Sequence, residues 1–166
     1  MTLQDAQIHE LETLARHEEA IGHLYNVYAR KFPEHENFWL KLSNEERNHA
    51  FWIRRIYPEV EDGLISFEEG RFKIRPIEIS LRYVERLAIE AEATASLEML
   101  QALSIALDIE NGLIEKDYLD VYDTDNDEIQ IVFNALREAS RKHRKRIAEL
   151  LEEFKHGSSE ELPAVG

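Results

Sequence analysis

Cysteine is absent from the 166 residues. That removes disulfides, thiolate zinc sites, iron–sulfur clusters and thiol catalysis from the possible chemistry. Glycine and proline are scarce, six and four in all, so little punctuates regular structure. No apolar run is long enough to span a bilayer. The opening Met-Thr-Leu-Gln-Asp has neither the basic segment nor the apolar core of a secretion signal, so a cytoplasmic protein is expected. Positive charge is in deficit: 20 Lys and Arg face 34 Asp and Glu, a net charge of −14. Such a surface argues against nucleic acid or an anionic membrane as the main partner. The length suits one domain with a substantial core.

What the chain does have is helical period. Long helices are expected over about 4–31, 34–57, 95–121 and 125–155, with a shorter one near 80–92. The first carries the stripe Leu11, Leu14, Glu18, Ile21, Tyr25, Tyr28 and Phe32. The second carries Phe38, Leu42, Glu46, His49, Ile53 and Ile56 and stops before Pro58. Leu81, Val84, Leu87 and Ala88 mark the apolar side of the short helix. The third long helix has Leu100, Leu103, Ala106 or Leu107, Glu110, Leu113 or Ile114, and Asp117. The fourth has Ile129, Phe133, Leu136, Ser140, His143, Ile147, Leu150 and Phe154.

Residues 58–79 break the pattern, with turns at Asp62-Gly63, Gly70 and Pro76 and anchors at Phe67, Phe72, Ile74 and Ile77. Short links make hairpins of the first and last helix pairs, and the middle connection is long. The expected fold is all-α, an antiparallel four-helix bundle with a long crossover that contains an extra short helix. Residues 1–156 form the domain, and 157–166 are expected to be a disordered tail. Asp123-Thr-Asp-Asn-Asp127 resembles a calcium loop superficially but lacks the glycine and glutamate such a loop needs. Asp123 or Thr124 is expected to cap the last helix instead.

Polar residues interrupt each apolar stripe. Glu46 and His49, three apart, share one helix face, whereas Glu45 falls off it toward solvent. Two ionisable groups on a buried seam need a partner, and a metal ion suits that spacing. The alternative is a capping box, Ser43-x-x-Glu46, although Phe32-Pro33-Glu34 argues for an earlier helix start. Glu18, Glu110 and His143 stand near the middle of the other three long helices. His9, His17, His23, His35 and His156 fall off the seams or near helix ends and are expected to be solvated. The basic run Arg141–Arg146 reads as a solvated face paired with nearby glutamates.

Together with Glu18-x-x-Ile-x-x-x-Tyr25-x-x-Tyr28-Ala29 and Glu45-Glu46-x-x-His49-Ala50, this constellation resembles the ferritin-like superfamily, and within it the rubrerythrin-like branch, over about residues 8–155. The resemblance implies a dinuclear iron or manganese site made by Glu18, Glu46, His49, Glu110 and His143, with zinc also suited to the donors. It implies iron oxidation by oxygen or peroxide, or peroxide reduction, in a homodimer. Tyr25 or Tyr28 would lie close enough to assist a ligand or pass an electron. The chain departs from the pattern at Ser140, where the family has Glu, and at Leu113, which often carries an extra Glu; the rubredoxin-type cysteines are also missing. Glu138 points about 200° away from Ser140 around the helix. Asp117 is roughly 10 Å along the axis from Glu110, too far to substitute. With Glu46 bridging, the metal position served by Glu110 and His143 is expected to be the weaker one. A non-catalytic iron carrier, or a structural bundle with a degraded site, is the alternative.

Overall fold

A computed structural model describes residues 3–63, 74–115 and 127–157. The described chain is entirely helical: α1 (Leu3–Lys31), a one-turn 3-10 helix (Pro33–His35), α2 (Glu36–Arg54), α3 (Tyr57–Glu61), α4 (Ile74–Ala93), α5 (Met99–Glu115) and α6 (Asp127–Gly157). No described helix is long and apolar enough to cross a membrane.

The α1 stripe behaves as its spacing dictates, with Leu11, Leu14, Ile21, Tyr25 and Tyr28 all buried. Arg30 and Lys31 in its last turn oppose the negative end of the helix dipole. Pro33 then opens the 3-10 turn, where a missing N–H costs nothing. α2 returns antiparallel to α1. Ser43 lies opposite Gly22, His49 opposite Glu18, and Arg54 opposite Glu12 and Glu19. Ser43 sits inside α2 and donates from Oγ to the Gly22 carbonyl at 2.7 Å, so the capping-box alternative for Glu46 falls away. Gly22 is what permits this close approach: a Cβ there would lie 3.0 Å from the Ser43 carbonyl oxygen and 3.3 Å from the Glu46 Cβ.

Two prolines fall inside helices that the sequence pattern ended or delayed. Pro58 sits in the first turn of α3 and Pro76 in the first turn of α4. First-turn N–H groups have no intrahelical partner, so proline is tolerated there. As a result α4 begins at Ile74 rather than near 80. It runs alongside α1, with His17 facing Ser80 and Arg30 facing Glu92. Gly63, at φ 69°, ends α3 at the expected Asp62-Gly63 turn.

Smaller corrections follow from packing. Trp39 is fully buried while Phe38 is only half-buried, and Leu100 lies largely outside the core. Gly70, Phe67, Phe72, Asp117, the segment 123–126 with its expected cap, and the tail beyond Gly157 lie outside the described residues, as do the side chains of Leu113, Ile114 and Ile129.

The buried apolar side chains form two clusters. One gathers Tyr25, Tyr28, Trp39, Leu42, Leu103, Ala106, Ile147 and Leu151. The other gathers Leu11, Leu14, Ile53, Ile56, Val60, Ile77, Phe133 and Leu136. In sequence, the polar seam residues of α1, α2 and α6 fall between the members of these clusters, so the site occupies the gap between two dry layers.

Candidate metal centre

All five residues expected to bind metal converge. Glu18 on α1, Glu46 and His49 on α2, Glu110 on α5 and His143 on α6 are each at most 6 % exposed. They form two groups, Glu18–Glu46–His49 and Glu46–Glu110–His143, whose donor atoms lie within 4.8 Å of one another. Each group can hold a metal ion, and Glu46 belongs to both. Its two oxygens divide the work: Oε2 lies 2.8 Å from His49 Nδ1, and Oε1 lies 2.6 Å from His143 Nδ1. Glu18 Oε2 is 3.2 Å from His49 Nδ1, and Glu110 Oε1 is 3.6 Å from His143 Nδ1. The imidazole rings stack at 5.4 Å, inclined by 20°.

Several buried donor atoms of the site lack a hydrogen-bond partner. Glu46 Oε1 and His143 Nδ1 are close, yet neither makes a hydrogen bond of acceptable geometry, and Glu110 Oε2 is buried without a donor. Buried polar atoms left unsatisfied are costly, and a cation placed among them would satisfy all three. The donor set of carboxylates and imidazoles therefore fits iron(II), manganese(II) or zinc(II).

Burial works against the charged form of every group here, and the neighbours decide the outcome. Burial, with the charge of Glu46, pushes the Glu18 carboxyl up to about 8 despite its bond to His49. Burial likewise raises Glu110. For Glu46 burial also opposes ionisation, but the His143 and His49 imidazoles prevail and hold it far below the usual carboxylate range. Burial opposes protonation of the histidines, yet Glu18 and Glu46 lift His49 to about 10, and Glu110 and Glu46 lift His143 to about 11. In the metal-free cluster the directions of these shifts favour an ionised Glu46 beside protonated histidines.

Tyr25 donates its hydroxyl to Glu110 Oε1 at 2.7 Å. Burial first, then the charges of Glu110 and Glu46, keep this phenol protonated. Tyr28 makes no such contact; it packs edge-on against Trp39 at 4.9 Å.

Ser140 takes no part in either group. Its Oγ donates back to the Leu136 carbonyl at 3.2 Å. Glu138 is exposed and lies 3.9 Å from Lys142, so it does not replace the missing carboxylate.

Two residues beside the site are more buried than their sequence positions imply. Glu45 is half-buried rather than solvated, and its Oε2 lies 2.8 Å from His143 Nε2, with Arg146 gripping the same carboxylate. A carboxylate on the outer nitrogen fixes the ring and leaves Nδ1 for the metal position. The signal was available in Arg146, the one member of the basic run at the spacing of a seam neighbour of His143. His17 is fully buried, with Nε2 2.9 Å from Ser80 Oγ, because α4 covers the second face of α1. Leu24 and Val27, apolar and off the main stripe, were the available sign of that second face. Farther away, His35 is half-buried against the Phe154 ring, while His9, His23 and His156 are exposed, as expected.

No protein-family model, no curated protein and no solved structure matches the chain.

Proposed function

We propose that this is a ferritin-like metal-binding protein of the rubrerythrin-like kind, with α1, α2, α5 and α6 as an antiparallel four-helix bundle. Glu18, Glu46, His49, Glu110 and His143 hold a dinuclear centre of iron or manganese. The observation that carries this is Glu46, which turns one oxygen toward each of two buried histidines while each histidine faces a further buried carboxylate. A structural ion pair needs only one such contact. A bridging carboxylate needs both.

Bound iron would supply the redox chemistry, either oxidation of further iron by oxygen or peroxide, or reduction of peroxide. The residues of the chain prepare the place for it. Glu46 joins the two metal positions, and Glu45 holds His143 with Nδ1 turned inward. Tyr25 keeps a proton at its hydroxyl, 2.7 Å from Glu110, where a change in Glu110 can draw on it. The apolar layers on either side keep bulk water from the donors.

A second reading, a carrier or a bundle with a decayed site, is favoured by Ser140, whose hydroxyl is spent on its own helix. One experiment divides the readings. The protein is purified without chelators, reconstituted with iron(II) and assayed for bound metal, beside Glu46→Ala. Two ions per chain in the wild type and none in the variant are expected. Absence of metal from the reconstituted wild type would sink the centre and leave the decayed bundle. If metal binds, consumption of peroxide separates an enzyme from a carrier.

A further inference from the structure

A cavity of about 460 Å³ opens between α2 and α6, on the outer side of the histidines. Trp52, Ala135 and Ala139 give it apolar walls, and His49, Lys142 and Arg146 border it. His49 is buried, and its Nδ1 is taken by Glu18 and Glu46. The opposite ring nitrogen, Nε2, has no partner among the described residues. With Nδ1 on a metal, the ring proton resides on Nε2. That Nε2–H is a donor that meets no acceptor among the described residues, and His49 lines the cavity. Arg146 adds a second: its terminal nitrogens hold Glu45, but its Nε is buried with none.

The same edge of His143 shows what is missing, since there Glu45 lies 2.8 Å from Nε2. Laying Glu45-Glu46-x-x-His49 over Ala139-Ser140-x-x-His143 puts Ala139 in the register of Glu45. Ala139 lines the cavity. A methyl group stands where a carboxylate would meet His49.

We infer that this cavity binds a small organic monocarboxylate, whose carboxylate accepts the His49 Nε2–H in the space left by Ala139 and whose apolar body lies against Trp52 and Ala135. The remaining charges at the rim are already spent in pairs, Glu45 on Arg146 and Glu138 on Lys142, so they do not repel an anion as a group. The volume falls in the range of small-molecule sites. The inference rests on the proposed metal centre in one respect: three carboxylates leave two divalent ions with one positive charge unbalanced, and the bound anion neutralises it.

Benzoate is the probe. Protein loaded with zinc, its zinc content measured on the same sample, is titrated with benzoate and followed by calorimetry and by imidazole ¹⁵N NMR. Saturable binding of one benzoate per chain is expected, with the His49 Nε2–H resonance moving and that of His143 unmoved. Ala139→Glu supplies the carboxylate internally and should weaken benzoate at least about tenfold while zinc content and circular dichroism are kept. Ala139→Leu, which fills the space without charge, should do the same and serves if the first variant misfolds. A titration that leaves His49 unmoved, or a folded variant that binds benzoate as the wild type does, overturns the inference. If zinc itself does not bind, the metal centre fails separately. The titration of metal-free protein then decides the cavity by the same His49 signal.

Discussion

The helices α2 and α6 occupy matching places in the site and contribute unequally to it. From α2 come His49, the shared Glu46, and Glu45 behind the opposite histidine. From α6 comes His143 alone, with Ala139 and Ser140 at the positions matching Glu45 and Glu46. The consequence is crossed. What α6 lacks at Ala139 is felt by the histidine of α2, whereas the histidine of α6 is the better supported. Each group contains three residues because Glu46 counts in both. In the proposed dinuclear centre, a carboxylate in place of Ser140 would be a second bridge, so its absence is a loss that both positions share. A substitution on one helix of a quasi-symmetric site thus need not weaken the half that bears it.

Removing the residue that both halves use breaks the comparison most completely. Glu46→Ala should abolish metal binding at both positions together, read as bound metal per chain after reconstitution. It should also destabilise the metal-free protein, since two buried imidazoles and two further carboxyls lose the ion that balances them. Breaking such a buried pair costs on the order of 3–5 kcal/mol, measurable by urea denaturation. Retention of one ion by the variant would show that one half stands without the bridge.

Acidity should act on both halves nearly alike. A metal must displace protons from His49 and His143, raised to about 10 and about 11, and from Glu18, raised to about 8. Affinity should therefore climb steeply between pH 6 and 9, and a pH-stat should record proton release on binding at pH 7. The stability of the metal-free protein should run the other way. The raised histidines stabilise the fold fully below their ordinary value of 6.5, and that contribution is lost as pH rises toward 10 and 11. Glu18 is raised as well, so from its ordinary 4.5 to about 8 the folded state holds a proton that the unfolded chain gives up, and stability again falls. Depressed Glu46 contributes above 4.5 and loses that contribution on acidification. Melting temperature without metal should decline from about pH 5 to pH 9, and bound metal should reverse the slope. A metal-free melting temperature that rises over this range would remove the protonated cluster.

The convergence of the five site residues was legible in the sequence because each interrupts an apolar stripe at mid-helix. Periodicity alone fixes such faces. What was not legible involved a second face. His17 and Glu45 lie beside the main seam, and each is buried by a neighbour that a single stripe does not announce: α4 over His17, and α6 with Arg146 over Glu45. The late start assigned to α4 shares this cause, since Pro76 reads as a break until its place in a first turn is known. The capping-box alternative at Ser43 could be set aside only once Gly22 had brought α1 within reach of the Ser43 hydroxyl.

Restoring the second bridge should sharpen the comparison by making the halves more nearly equal. Ser140→Glu adds a buried carboxylate to a cluster already crowded with them, so the metal-free protein should melt lower. The metal-loaded protein should bind both ions more tightly, by about ten- to a hundredfold, and competition with a chromophoric chelator reads this directly. A gain at only one position would mean that the position matching Glu46 does not bridge.

The smallest expected effect isolates a single half. Of the five candidate metal ligands Glu45 touches His143, through Nε2, and it is gripped by Arg146 in a partly exposed pair. Glu45→Gln keeps the shape and a hydrogen-bond acceptor but removes the charge that orients the ring and makes Nδ1 a stronger donor. Metal affinity at the Glu110–His143 position should fall by about tenfold, with the Glu18–His49 position unchanged, because His49 never had such support. Chelator competition should therefore turn from one transition into two. If the two transitions stay merged and both shift, support reaches the metals through Glu46 rather than through each histidine, and the halves are a single unit rather than two unequal ones.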